Sequence, residues 1–247
     1  MILLIDSGNT RLKWRLERQK SAEVLVQGVG LLTDADPLQA LCLPKGSRVM
    51  SVAVSTVASE QRQLNLVEAL KSRFSAPVTC YWSERERDGL VNGYQQPAKM
   101  GADRWHGMYA AWQRRRQGFA VVDAGSAVTV DYVAADGHHL GGYILPGLQM
   151  MLRSLSSDAA RIDFEPELSL ESRPGLSTNE CVNHGLAWLS AAFSDRVLAD
   201  IQSYGLRDLV LTGGDALRLQ RLGLQGEIEP ELVIDGLAKV HRERFYG

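Results

Sequence analysis

Two aspartates, Asp6 and Asp123, each close an apolar run, and each is followed two residues later by a glycine, Gly8 or Gly125. The stretch "LLIDSGNTRLKW" covers residues 3–14, and "AVVDAGSAVTVDY" covers residues 120–132, so the second acid follows the first by 117 positions. Glycine lets the backbone approach a phosphate oxygen with no Cβ in the way. Backbone amides and the hydroxyls of Ser7, Thr10 and Ser126 can donate to such oxygens. A carboxylate at a strand end can hold magnesium or its waters, because that ion prefers few carboxylates plus phosphate oxygens. One D-x-G after a strand is an ordinary turn. Its return at a matching place points to a duplicated phosphate-handling hairpin, in which the same offset sets Asn9 on Ser126.

A third acid, Asp103, lies in "GADR", where a long glycine-bearing loop gives way to a helix. A helix N-terminus favours an anion, so Asp103 reads either as a first-turn acid or as a general base. Arg104 carries a planar fork suited to a carboxylate or phosphate, or is a helix-surface arginine. Tyr94 offers an apolar face and a hydroxyl, or covers a core edge. Thr178 has the type and place of a helix N-cap.

Several function classes fall away. Both acidic turns feed a second strand instead of a helix, unlike the dinucleotide-binding turn, and no G-x-x-x-x-G-K-[ST] occurs. Gly8 occupies the place where an aspartyl-phosphate phosphatase would want a second acid. The five histidines form no H-E-x-x-H, so zinc has no support. A net charge of -2 supplies no basic field, and no nucleic acid is expected as partner. No apolar run approaches the roughly 20 residues of a membrane helix, so no membrane partner is expected. Cys42, Cys80 and Cys181 are scattered, and "MILLID" shows no signal-peptide pattern; both suit a cytoplasmic protein.

The acids need elements to carry them. "MILLID" reads as a buried strand, "RLKWRLER" as a half-exposed one, and "AEVLVQG" as the third of a meander. "DADPLQALCL" suggests a short helix starting at Asp36-Pro37. "RVMSVAV" and "APVTCYW" are strands on either side of an amphipathic helix with Leu64, Val67 and Leu70 at helical spacing. "SERERDGLVNGYQQPAKMG" reads as a functional loop, and "ADRWHGMYAAWQRRRQG" as a helix whose Arg114, Arg115 and Arg116 form a solvated end. The pattern restarts with "FAVVD", "AVTVDYVAA" and "HHLGGYIL", the last two joined at Asp136-Gly137. Helices follow around 148–159 and 178–202, then the strand "DLVLTGG" and a helical close, "LVIDGLAKVHRER". This order predicts an α/β fold of two similar units, residues 1–117 and 118–247.

With these residues in view, the chain resembles the actin, sugar-kinase and heat-shock-chaperone superfamily, and within it the type III pantothenate kinase family. "DSGNTRLKW" resembles that family's first phosphate motif, "DAGSAVTVD", "GGYILPG" and "TGGDA" resemble further motifs of the family, and Asn92 to Arg104 resembles its substrate segment N-x-Y-x-x-P-x-x-L-G-x-D-R. Ser126 stands where the family usually has Thr, keeping the hydroxyl, and Met100 replaces the usual Leu at similar volume.

The resemblance implies two ribonuclease-H-like (actin-like ATPase) domains with a cleft between them. It implies ATP-dependent phosphorylation of pantothenate at the first step of coenzyme A synthesis, with Asp103 as catalytic base. ATP binding is implied for Asp6, Ser7, Gly8, Asn9, Thr10, Arg11, Leu12, Lys13 and Ser126. Pantothenate contacts are implied for Tyr94, Gly101, Ala102, Asp103, Arg104 and Thr178. A monovalent cation, potassium or ammonium, is implied beside Asp123, with ATP-magnesium as phosphoryl donor and a homodimer as assembly. The family also has relatives described as accessory regulators, and its ATP half is shared with kinases for other hydroxylated substrates. Both remain alternatives.

Overall fold

Ile2, Leu3, Leu4 and Ile5 are all fully buried, which four consecutive apolar residues achieve only in a strand covered on both faces. They lie in β1 (Ile2–Ser7), the central strand of a five-stranded sheet. Two strands, β2 (Arg11–Glu17) and β3 (Val24–Leu31), extend it as an antiparallel meander. On its other side β4 (Ser51–Thr56) and β5 (Val78–Tyr81) add in parallel, joined through α1 (Glu60–Phe74). The sheet order is therefore β3-β2-β1-β4-β5. A two-stranded ribbon, β6 (Glu86–Arg87) with β7 (Leu90–Val91), and a 3-10 turn at Pro97–Lys99 lead to α2 (Ala102–Arg115). The computed structural model describes residues 1–57, 59–158 and 162–246.

The second half repeats the plan. It has β8 (Phe119–Ala124), β9 (Ala127–Val133) and β10 (His139–Pro146), then α3 (Leu148–Asp158) and α4 (Thr178–Ser203). The chain closes with β11 (Asp208–Thr212), α5 (Ala216–Arg221), β12 (Glu227–Ile228) and α6 (Leu232–Tyr246). The order β10-β9-β8-β11-β12, with the first two pairings antiparallel and the last two parallel, copies the first sheet strand for strand. The α/β class and the duplicated topology expected from the sequence are what the chain adopts.

Two compact units hold these sheets. One comprises Met1–Asp88, Tyr94–Gln113 and Glu231–Gly247, the other Gly89–Gly93 and Arg114–Pro230. This differs from an uninterrupted 1–117 and 118–247 division, because α6 packs on β1, β2 and β4 of the first sheet. In the first unit Leu3, Ile5, Trp14, Val52 and Val54 form one face of the sheet and share a core with Leu70 of α1.

The other face, under α6, accounts for a second difference. β2 is buried on both sides, since Arg15 pairs with Glu17 (2.8 Å) and Asp235 (2.6 Å), and Glu17 also meets Arg242. Its period of two separates apolar from charged contacts, and both sets are inside.

Two local expectations also change. The "DADPLQALCL" segment is a series of turns with no helix: the Asp36 carboxylate accepts the Leu38 N–H (2.9 Å) and binds Arg73 (2.8 Å). The Arg114–Arg116 end is not simply solvated. Arg115 lies 2.6 Å from Glu227, 2.5 Å from Glu229 and 3.8 Å from Asp208, and Arg114 also meets Glu229. No described helix is long and apolar enough to cross a membrane.

Candidate functional site

In the first unit the chemistry collects where β1, β4 and α2 end or begin. Strand pairing places Asp6 opposite Lys13 of β2 and opposite Ser55 of β4. Paired residues share a face, so Lys13, Asp6 and Ser55 form one polar row on the side of the sheet away from α1. The β1–β2 turn is closed by Gly8 N–H donating to the Arg11 carbonyl (3.0 Å), which leaves Asn9 and Thr10 exposed at its tip. Ser7 and Leu12 are buried flanks of the hairpin.

Past β4, the Val57 N–H donates to the Ser7 carbonyl at 3.3 Å, tying this segment to the hairpin. Val57 in turn lies against Gly101. A Cβ added at Gly101 would sit 3.4 Å from Val57 Cγ1 and 2.5 Å from Asp103 Oδ1. The absence of a side chain at Gly101 leaves room for the carboxylate of Asp103. The same oxygen accepts the Arg104 N–H at 2.7 Å, so Asp103 is indeed an acid in the first turn of a helix, held on that turn. Ala102 beside it is buried.

Arg104 is buried to within 7% of full exclusion, and its guanidinium donates to the Tyr94 hydroxyl at 2.6 Å while lying 5.4 Å from that ring's centroid. A surface role for Arg104 is thereby excluded. The pair forms a rigid cation–aromatic corner next to Asp103 in the chain. The preceding loop is fixed by Ser83, whose hydroxyl lies 2.8 Å from the Pro97 carbonyl and 2.9 Å from that of Met100. Ser83 stands outside the substrate segment, and no spacing signal in the sequence singles it out.

In the second unit three separate motifs meet at one turn. Gly125 N–H donates to the Ala127 carbonyl at 3.0 Å, closing the β8–β9 turn one residue sooner than its counterpart. The 117-residue offset therefore holds at Asp123 and Gly125 and slips beyond them. Gly147, from "GGYILPG", packs on the carbonyls of Gly125 and Ser126 so closely that a Cβ would overlap them. Gly213, from "TGGDA", has φ +88°, and a Cβ there would lie 2.5 Å from both the Ala124 backbone and Asp123 Oδ1. Asp215 donates its backbone N–H to the Ala124 carbonyl at 2.9 Å. Pairing sets Asp123 between Thr129 and Thr212, a polar row equivalent to the first.

Thr178 is exposed on the first turn of α4, in the second unit. The cap of that helix is Ser177, whose hydroxyl accepts the Glu180 N–H at 3.2 Å, so capping is not the role of Thr178.

Among the described residues no group of three or more His, Cys, Asp or Glu side chains could hold a metal ion. The fit to magnesium is of another kind: single strand-end carboxylates beside glycine turns suit an ion that takes its remaining ligands from phosphate and water. Beside Gly213 the Ala124 carbonyl and the Asp123 carboxylate present two oxygen atoms, the donor type that hard cations take.

The chain is 55% identical to the type III pantothenate kinase of Marinobacter nauticus over 240 residues, which is 97% of this chain and 98% of that one. Its fold is similar to that of a Campylobacter jejuni protein described as a Baf family transcriptional activator, with a TM-score of 0.61 at 21% identity over 98% of both chains. It also matches an inorganic polyphosphate/ATP-glucomannokinase from Arthrobacter, with a TM-score of 0.50 at 15% identity over 98% of both chains. At these identities the two structures speak to the fold alone. The sequence profile of the type III pantothenate kinases covers residues 2–200, and the chain belongs to that family.

Proposed function

We propose a division of labour among these residues for the reaction this chain performs, the phosphorylation of pantothenate in coenzyme A biosynthesis. Pantothenate and ATP are the substrates, and a divalent metal, which we take to be magnesium, neutralises phosphate charge when bound. Asp103 accepts the proton of pantothenate's primary hydroxyl as that oxygen bonds to the γ-phosphorus and the bond to the ADP oxygen breaks. Phosphoryl transfer asks mainly for alignment and charge neutralisation, so one well-placed carboxylate suffices on the acceptor side.

The placement of Asp103 carries this reading. Its carboxylate oxygen accepts the Arg104 N–H and occupies the space that a side chain at position 101 would fill, beside the segment that continues from β4. Tyr94, Gly101, Ala102 and Arg104 supply the pantothenate contacts, Arg104 with a guanidinium able to meet a carboxylate. Thr178 adds a further hydroxyl to that set.

Residues Asp6 to Lys13 and Ser126 bind ATP, through the amides and hydroxyls at the two glycine turns and the charge of Lys13. Asp123 holds potassium or ammonium. The assembly is a homodimer, with α4 as a contributor, working in the cytoplasm without nucleic acid or membrane.

The test is Asp103→Ala in a coupled ADP-release assay with pantothenate, with and without potassium. A turnover loss of roughly 100-fold or more with nucleotide binding retained supports the base assignment. Unchanged turnover removes it.

A further inference from the structure

The row Lys13–Asp6–Ser55 has one member that the nucleotide reading leaves without work. Ser55 is fully buried, and its Oγ lies 2.9 Å from Nδ1 of His106. His106 is also fully buried and follows Asp103 by three residues on α2, so it lies on the same helix face as the acid. Its other ring nitrogen, Nε2, has no hydrogen-bond partner among the described residues. Burial, with Arg87 adding to it, pushes the His106 pKa down to about 3, so the ring is neutral and carries a single N–H.

Which nitrogen carries that proton follows from the surroundings. A proton on Nε2 would bury a donor with no acceptor, whereas a proton on Nδ1 leaves only a lone pair unmet, the smaller cost. Nδ1–H then donates to Ser55 Oγ, and the Ser55 hydroxyl keeps its own proton to give away. The neighbour on the same face, one strand across, is Asp6. Adjacent strands are about 4.8 Å apart, so Ser55 and Asp6 are side-chain neighbours in one row, while the bond the Ser55 hydroxyl makes in the structure is the one to His106. Alternation confirms the shared face: Ile5 and Val54, the residues just before Asp6 and Ser55, both point into the α1 core. The second unit repeats the pairing, with buried Thr212 opposite Asp123.

We infer that Ser55 and His106 are positioning residues of the kinase reaction: His106 Nδ1–H fixes the Ser55 hydroxyl, which holds the Asp6 carboxylate toward magnesium–nucleotide. This rests on the assignment of Asp6 to the nucleotide. The chain links α2, which carries Asp103, to the hairpin acid through side chains that touch no substrate. Loss of such an outer partner typically costs roughly 10–100-fold in metal affinity or activity.

The experiment compares Ser55→Ala, Ser55→Thr, Asp6→Asn and the Asp6→Asn/Ser55→Ala double variant. Calorimetric binding of magnesium–ATP, steady-state constants and melting temperature are measured for each. Ser55→Ala is expected to weaken magnesium–ATP binding and kcat by roughly 10-fold or more with the KM for pantothenate unchanged. Ser55→Thr, which keeps the hydroxyl as Thr212 does, should recover most of the loss, and the double variant should be no worse than Asp6→Asn. Imidazole 15N shifts of the wild-type protein should report a neutral Nδ1–H ring at His106, a readout independent of any variant's folding. A wild-type-like Ser55→Ala beside a defective Asp6→Asn overturns the positioning role alone, as does an Nε2–H tautomer. An Asp6→Asn with undiminished nucleotide binding removes the assignment underneath, and the proposal with it.

Discussion

Replacing Gly101 by alanine should separate catalysis from stability. The backbone at Gly101 lies outside the left-handed region, so alanine is conformationally admissible and removes some unfolded-state freedom, worth about 0.4–1 kcal/mol in favour of folding. The new methyl would lie 3.4 Å from Val57 Cγ1, an acceptable contact, but 2.5 Å from Asp103 Oδ1, where ordinary packing begins near 3.4 Å. The carboxylate must therefore retreat by roughly 1 Å. In doing so it loses the 2.7 Å bond from the Arg104 N–H, a cost of about 1 kcal/mol that cancels the backbone gain.

Stability should therefore change by less than about 1 kcal/mol, while a 1 Å displacement of the reacting group costs roughly 100-fold in rate. The assay is ADP release with pantothenate, run beside a thermal melt. Wild-type turnover in Gly101→Ala would refute the idea that the Asp103 carboxylate works from its present position. A large fall in melting temperature would instead refute the reasoning about the backbone.

Gly213→Ala should destabilise by roughly 1–3 kcal/mol, read by chemical denaturation, because φ is +88° and the methyl meets backbone atoms of Ala124 that cannot swing aside. Arg115→Ala should cost about 2 kcal/mol and lower the melting temperature by roughly 4–8 °C, since it leaves the buried Glu229 with Arg114 alone while Glu227 remains well solvated. His106 has its pKa held at about 3, below the usual 6.5, so between those values the unfolded chain binds the proton and the folded one does not. Stability is therefore lost as pH falls from about 6.5 toward 3, by about 2 kcal/mol from this residue between pH 7 and pH 5. Denaturant midpoints at the two pH values measure it, and a flat profile would contradict the burial argument.

Much of the molecule was legible before any coordinates. The strands β1, β4, β8 and β11 announce themselves as apolar runs, and the D-x-G turns mark the hairpins that follow the two acids, because such signals are carried by neighbours in the chain. The duplicated order of elements follows from the same local patterns read twice. Even the substrate segment is visible as a long loop with glycines and a proline. Its internal anchor, Ser83 on the Pro97 and Met100 carbonyls, is not, since a serine that binds backbone 14 and 17 residues away leaves no periodicity.

Sequence by itself determined which residues are available for chemistry: two hairpin acids, a helix-opening acid, the glycines beside them. Only tertiary structure decided which of them meet. Strand register put Lys13, Asp6 and Ser55 in one row, and helix packing set His106 under that row. The return of α6 to the first sheet turned Arg15 and Glu17, which alternate like solvent-facing residues, into buried ion pairs. Alternation records that a strand has two faces. What covers each face depends on elements more than two hundred residues away, whose burial is a property of the whole chain.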